Sequence, residues 1–241
     1  MIHYHGTPVG GPRQDAARFL MSRHALVSFA HPEDIPIVAE VCQSFVLDNG
    51  AYTTWKQGKP LDVEGYKKWV YEWSRHPGFD WALIPDVIDG TDRENDHLVN
   101  TWPKGLEGVP VWHMHEPNVR LTWLARQFRV VALGSSGEFA SVGTPQWWSR
   151  MGQAMKAVCD EKGRPMCKLH GLRMLDPEIF TRLPLSSADS TNAAMNSGSL
   201  SRFGMYLPPT TAQRAAVIAE RIEANNSAPV FQGIQQEELC L

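Results

Sequence analysis

Four short apolar segments of this chain each run into an acid. Asp48 closes Ser44-Phe45-Val46-Leu47, and Asp86 closes Trp81-Ala82-Leu83-Ile84-Pro85. Glu138 closes Val130-Val131-Ala132-Leu133-Gly134-Ser135-Ser136-Gly137, and Asp189 closes Leu185-Ser186-Ser187-Ala188. Apolar runs without strict alternation suit parallel strands buried on both faces. The carboxyl ends of parallel strands share one face, and in an eight-stranded α/β barrel that face carries the active site. A solvated surface has no need of acids at one recurring point.

Eight candidate strands cover residues 3–6, 26–30, 44–47, 81–84, 109–114, 129–133, 166–170 and 185–188. Helical patterns fall between them at 62–73, 92–102, 118–127, 145–159 and 211–225. Thr144 is a candidate N-cap with Pro145 in the first turn, and Asp89 or Asp92 is a candidate cap before the second helix. Strands alternating with helices imply a parallel sheet, and eight such units imply closure. The expected fold is α/β, a single (β/α)8 TIM barrel over residues 1–225, followed by a polar C-terminal tail, 226–241. A length of 241 residues is close to that of one such barrel. The stretch from Ser197 to Thr210 reads as a long loop.

Composition narrows the function classes. Lys and Arg total 23 against 26 Asp and Glu, which is not the strongly basic balance of a dedicated nucleic-acid binder. No apolar run approaches the roughly 20 residues that span a bilayer. The start, Met1-Ile2-His3-Tyr4-His5, lacks the basic and apolar regions of a signal peptide, so a cytoplasmic protein without membrane partners is expected. Cys42, Cys159, Cys167 and Cys240 form no Cys-x-x-Cys pair, so reduced, mostly buried thiols are expected, with no bound metal.

At the expected mouth, Asp48 begins Asp48-Asn49-Gly50-Ala51-Tyr52, a turn-forming run in which the acid can orient or deprotonate a ligand. Asp86 directly follows its strand. Small residues at Gly134, Ser135 and Ser136 let backbone amides approach a flat ligand closely. A buried carboxylate at Asp189 needs a reason to be kept, and a catalytic nucleophile is one. His3 and His5 alternate on the first strand, His113 and His115 on the fifth, and His170 ends the seventh. Such pairs can ligate a metal or simply line a polar mouth. The tryptophans near the mouth, Trp55, Trp112, Trp147 and Trp148, are expected to pack.

In this order these residues resemble the guanine transglycosylases, which exchange guanine in nucleic acid for a 7-deazaguanine. Asp48-Asn49-Gly50-Ala51-Tyr52 is similar to the family's Asp-Ser-Gly-Gly-Phe segment, and Asp86 falls at its guanine-reading aspartate. Ser135-Ser136-Gly137-Glu138 resembles the end of its Gly-Gly-x-x-x-Gly-Glu loop. His170-Gly171-Leu172 through Asp176-Pro177-Glu178 to Ala188-Asp189-Ser190-Thr191 resembles its nucleophile segment. The likeness covers roughly residues 43–198 and is nearest to the phage or prophage branch, because the Cys-rich zinc subdomain of the tRNA enzymes is absent. The family's Arg-rich segment after the nucleophile is replaced by Asn192-Ala193-Ala194-Met195-Asn196. The resemblance implies Asp189 and Asp48 as catalytic residues. It implies Asp86, His113, Gly134, Ser135, Ser136, Glu138, Tyr52 and His170 as substrate-binding residues, a purine or 7-deazapurine base with a nucleic acid, DNA before RNA, as partners, and no cofactor. Two other expectations remain open: a zinc-type hydrolase barrel using His3, His5, His113 or His115, His170 and Asp189, and a nucleobase-binding barrel without turnover.

Overall fold

Parallel strands appear wherever the apolar runs predict them. The computed structural model describes residues 1–10, 12–198, 203 and 207–233. In chain order the elements are β1 (Ile2–Gly6), α1 (Arg13–Leu20), β2 (His24–Ser28), α2 (Ile35–Val41), β3 (Ser44–Asp48), α3 (Ala51–Lys56), α4 (Val63–Trp73) and β4 (Phe79–Leu83). Next come α5 (Asp92–Asn100), β5 (Gly108–Val109), β6 (Val111–His113), α6 (Asn118–Gln127), β7 (Val130–Gly134) and α7 (Pro145–Val158). The chain continues through β8 (Lys168–Gly171), α8 (Pro177–Phe180), β9 (Ser187–Ser190), α9 (Asn192–Asn196) and α10 (Thr211–Glu223).

The sheet order is β5-β4-β3-β2-β1-β9-β8-β7-β6, and every pairing is parallel. Its two ends, β5 and β6, are consecutive in sequence and separated only by Pro110, whose carbonyl accepts from the Ala132 N–H at 2.9 Å. Proline has no N–H to give to a ladder, so one barrel strand is split in two, and the nine segments make eight staves of a (β/α) barrel.

Strand parity decides which side chains enter the barrel. Tyr4, Val46, Trp81, Leu83, Val111 and Ala132 fill the interior cluster, while Ala25, Phe45, Leu47, Ala82, Trp112, Leu133 and Leu169 face the helices. The same parity turns Asp48, His113, His170 and Asp189 inward. The helices bury one stripe each, clearest in α7, where Trp147, Met151 and Met155 are fully buried. Thr144 caps α7 as expected, accepting from the Trp147 N–H. The cap of α5 is neither Asp89 nor Asp92 but Thr91, in a reciprocal box with Glu94.

The segment after α10 returns beneath the barrel, where Asn226 accepts from the Met1 amine and the Phe231 N–H donates to Gly163. Residues 234–241, including Cys240, and half of the 197–210 loop lie outside the described residues. Cys42, Cys159 and Cys167 are free and half-buried rather than buried. Among the described residues, no helix is long and apolar enough to cross a membrane.

Candidate active site

The mouth is assembled at the carboxyl ends of β2, β3, β4, β6, β7, β8 and β9. Asp48 is the last residue of β3, where its Oδ2 accepts from the Gly50 N–H at 3.1 Å. Gly50 can turn the chain there because its φ is +77°, a left-handed conformation that favours glycine. Burial pushes the Asp48 carboxyl up to about 6, and the charges of Asp189 and Asp86 add to that shift. Hydrogen bonds from Ser28, at the end of β2, and Gly50 oppose it. Like charges held close together favour the protonated acid.

Asp86 sits three residues beyond β4. Its Oδ1 accepts from Asn49 Nδ2 at 2.7 Å, and its Oδ2 lies 2.9 Å from His113 Nε2. Burial lowers the proton affinity of His113, but the Asp86 contact outweighs it and the pKa is raised. The His113 ring can lie against β7 because Gly134 stands there, where a Cβ would meet His113 Nδ1 at 3.2 Å. A buried network beneath holds this pair. Asn95 bonds both the N–H and the carbonyl of Val87 and donates to Glu116, which accepts from the His113 N–H and from Arg120.

Asp189 is buried within β9 rather than beyond it, a shift of two residues from the sequence expectation. Its Oδ1 accepts from the Arg173 N–H at 3.0 Å and lies 3.3 Å from His170 Nε2. His170 is fully buried, with Nδ1 at 2.9 Å from Ser187 Oγ and its ring edge-on to Trp81 at 4.9 Å. The Nε2 atoms of both His113 and His170 approach carboxylates without hydrogen-bond alignment, so each is a buried nitrogen lacking such a partner among the described residues. Buried polar atoms left this way call for a ligand or water.

Ser135 Oγ accepts from the buried Trp147 indole at 2.9 Å, and Ser136 Oγ is 2.8 Å from His115 Nδ1. Tyr52, on α3, is exposed at the rim beneath the Arg173 guanidinium.

Three expectations are placed differently. Glu138 is exposed, receives Gln146 Nε2 at 2.9 Å, and lines a side cleft of about 580 Å³ with Arg150 and His115 rather than joining the three aspartates. His3 and His5 point outward from β1 because Tyr4 takes the inward parity. His3 Nε2 meets the Asn225 carbonyl, and His5 Nε2 meets Glu223 at 2.8 Å. They therefore cannot join His113, His170 and Asp189 in one ligand set, and no group of three metal-ligating side chains occurs among the described residues. Trp112, Trp147 and Trp148 pack as expected, whereas Trp55 is 48% exposed. Sequence reasoning missed Arg173, Asn49, Ser28 and Asn95. Compared with family models, curated proteins and solved structures, the chain has no match in any of the three.

Proposed function

We propose that the barrel exchanges a purine base at a glycosidic bond, taking guanine from nucleic acid and installing a 7-deazaguanine. The observation that carries this reading is the meeting of Asp48, Asp86 and Asp189 at one mouth, where burial and the two neighbouring charges raise the Asp48 carboxyl to about 6. Asp189 attacks the sugar C1′, so the C1′–O bond forms as the C1′–N9 bond breaks. Protonated Asp48 gives its proton to the departing base. The resulting carboxylate takes the proton of the incoming base, which then displaces Asp189 and restores the starting state. A pKa of about 6 lets Asp48 occupy both states near neutral pH.

Asp86, held by Asn49 and His113, accepts from the N–H edge of the purine. A site built on such a contact rejects analogues lacking the donor. The amides of Gly134 to Ser136 take the base carbonyl, Tyr52 lies along the base, and His113 and His170 orient the Asp86 and Asp189 carboxylates toward it. A duplex substrate has to extrude its base to reach the site. A structure of the protein soaked with guanine tests this arrangement. The expected result is a planar base between Asp48, Asp86 and Ser135. Guanine seated only in the side cleft beside Glu138 would contradict it.

A further inference from the structure

The geometry points to Arg173 and the exposed face of Trp55 as the contacts for a single nucleic-acid strand on either side of the exchanged base. This rests on the reading that Asp189 receives the sugar carbon. Arg173 has φ of +57°, one of two non-glycine residues with positive φ in the described chain. Such conformations cost free energy in a side-chain-bearing residue and cluster at functional sites. This one does two things. It aims the Arg173 N–H at Asp189 Oδ1, 3.0 Å away, and it sends the side chain across the mouth. There the guanidinium lies 4.4 Å above the Tyr52 ring, and one Nη reaches the Ser135 carbonyl at 3.4 Å.

No carboxylate lies within salt-bridge distance of that guanidinium among the described residues, although three aspartates occupy the mouth beside it. Those aspartates repel a phosphate. A nucleotide whose C1′ rests at Asp189 carries its phosphates one sugar's width away, within reach of a side chain whose own N–H touches that acid. A planar, permanently charged fork matches a phosphate there.

Trp55 completes the strand site. Its indole N–H is pinned to Asp89 Oδ2 at 2.7 Å, which holds the exposed ring on the rim. Tyr52 sits 6.0 Å away, and exposed Lys56 follows on the same helix. Aromatic faces beside cations hold single strands by stacking, whatever the sequence. A duplex cannot offer its flanking base to Trp55 without unstacking.

The test measures fluorescence anisotropy with a short labelled oligodeoxynucleotide containing one guanine, its ribo- counterpart and the matching duplex. Wild type is compared with Arg173→Gln, Arg173→Lys and Trp55→Ala over salt from about 50 to 200 mM. Arg173→Gln should weaken single-strand binding about tenfold and reduce the salt slope by about 0.7, the value for one phosphate on a single strand. Arg173→Lys should keep the slope. Trp55→Ala should weaken binding about fivefold or more with the slope unchanged. The deoxy and ribo arms identify which strand is preferred. Calorimetric titration of guanine reports on the base site alone. Guanine binding with an unchanged Arg173→Gln slope, or duplex bound as tightly as single strand, overturns this inference only. No guanine binding overturns the base-exchange reading and this inference with it.

Discussion

Asp48 shows how position changes the protonation of an ordinary aspartate. Burial and two neighbouring aspartates hold its carboxyl up at about 6. A raised acid contributes stability only while protonated, so that contribution is present below the ordinary aspartate range and is lost as pH rises through about 6. Asp48→Asn should therefore leave stability unchanged near pH 4 and raise it on the order of 2 kcal/mol at pH 8, where the wild type carries the buried charge. Urea melts at the two pH values check this. Formation of the glycosyl-enzyme should slow about tenfold per pH unit above the Asp48 pKa, because departure needs the protonated acid. Single-turnover rates should show this slope in the wild type and a flat, ~10²–10⁴-fold lower profile in Asp48→Asn. At this scale the sequence exposed the acids, since each ends an apolar run. It did not expose Arg173, whose importance lies in a left-handed φ and a path across the barrel that only the assembled fold creates.

Among the elements, the first strand and the last long helix are joined by side chains that sequence reading assigns elsewhere. His5 faces α10, where Glu223 accepts from Arg23 Nε at 2.9 Å as well as meeting His5. Burial pushes the Glu223 carboxyl up, but the His5 and Arg23 contacts outweigh it and hold it down at about 2. A depressed acid stabilises above its ordinary range and loses that contribution as pH falls toward the depressed value. Glu223→Gln should destabilise the protein by about 1 kcal/mol at pH 7, with the difference from wild type gone near pH 2. Faster amide exchange in α10, relative to α7, would place the loss where the contact lies. The five long helices were legible because their apolar stripes repeat at helical spacing and four of them begin at side-chain caps. The shorter ones were not. α1 starts after Pro12 with no side-chain cap, α2 is almost uniformly apolar, and α3 has six residues. β2 begins two residues before its expected start because His24, polar and so unlike a buried strand, bonds Ser44 Oγ at 2.7 Å.

At the scale of the whole molecule, eight staves bring Asp48 and Asp189, 141 positions apart in sequence, to one mouth. The barrel was legible from the rhythm of apolar run and acid, and that rhythm located three of the four acids at one mouth. It misplaced Glu138, because a short turn after β7, Gly137–Phe139, carries that side chain to the rim. It also left the direction of His3 and His5 open, because either parity was compatible with a strand of mixed polarity. The closed sheet then fixes the arrangement on which the proposed base exchange depends, with Asp48, Asp86 and Asp189 facing one mouth. The decisive measurement incubates the protein with labelled guanine and guanine-containing DNA or RNA, then denatures it and maps any adduct by peptide mass. The account predicts label exchange with an adduct on Asp189, and Asp189→Asn that folds, binds guanine and loses more turnover than Asp48→Asn. Full exchange by Asp189→Asn, or an adduct on Asp48, would contradict it.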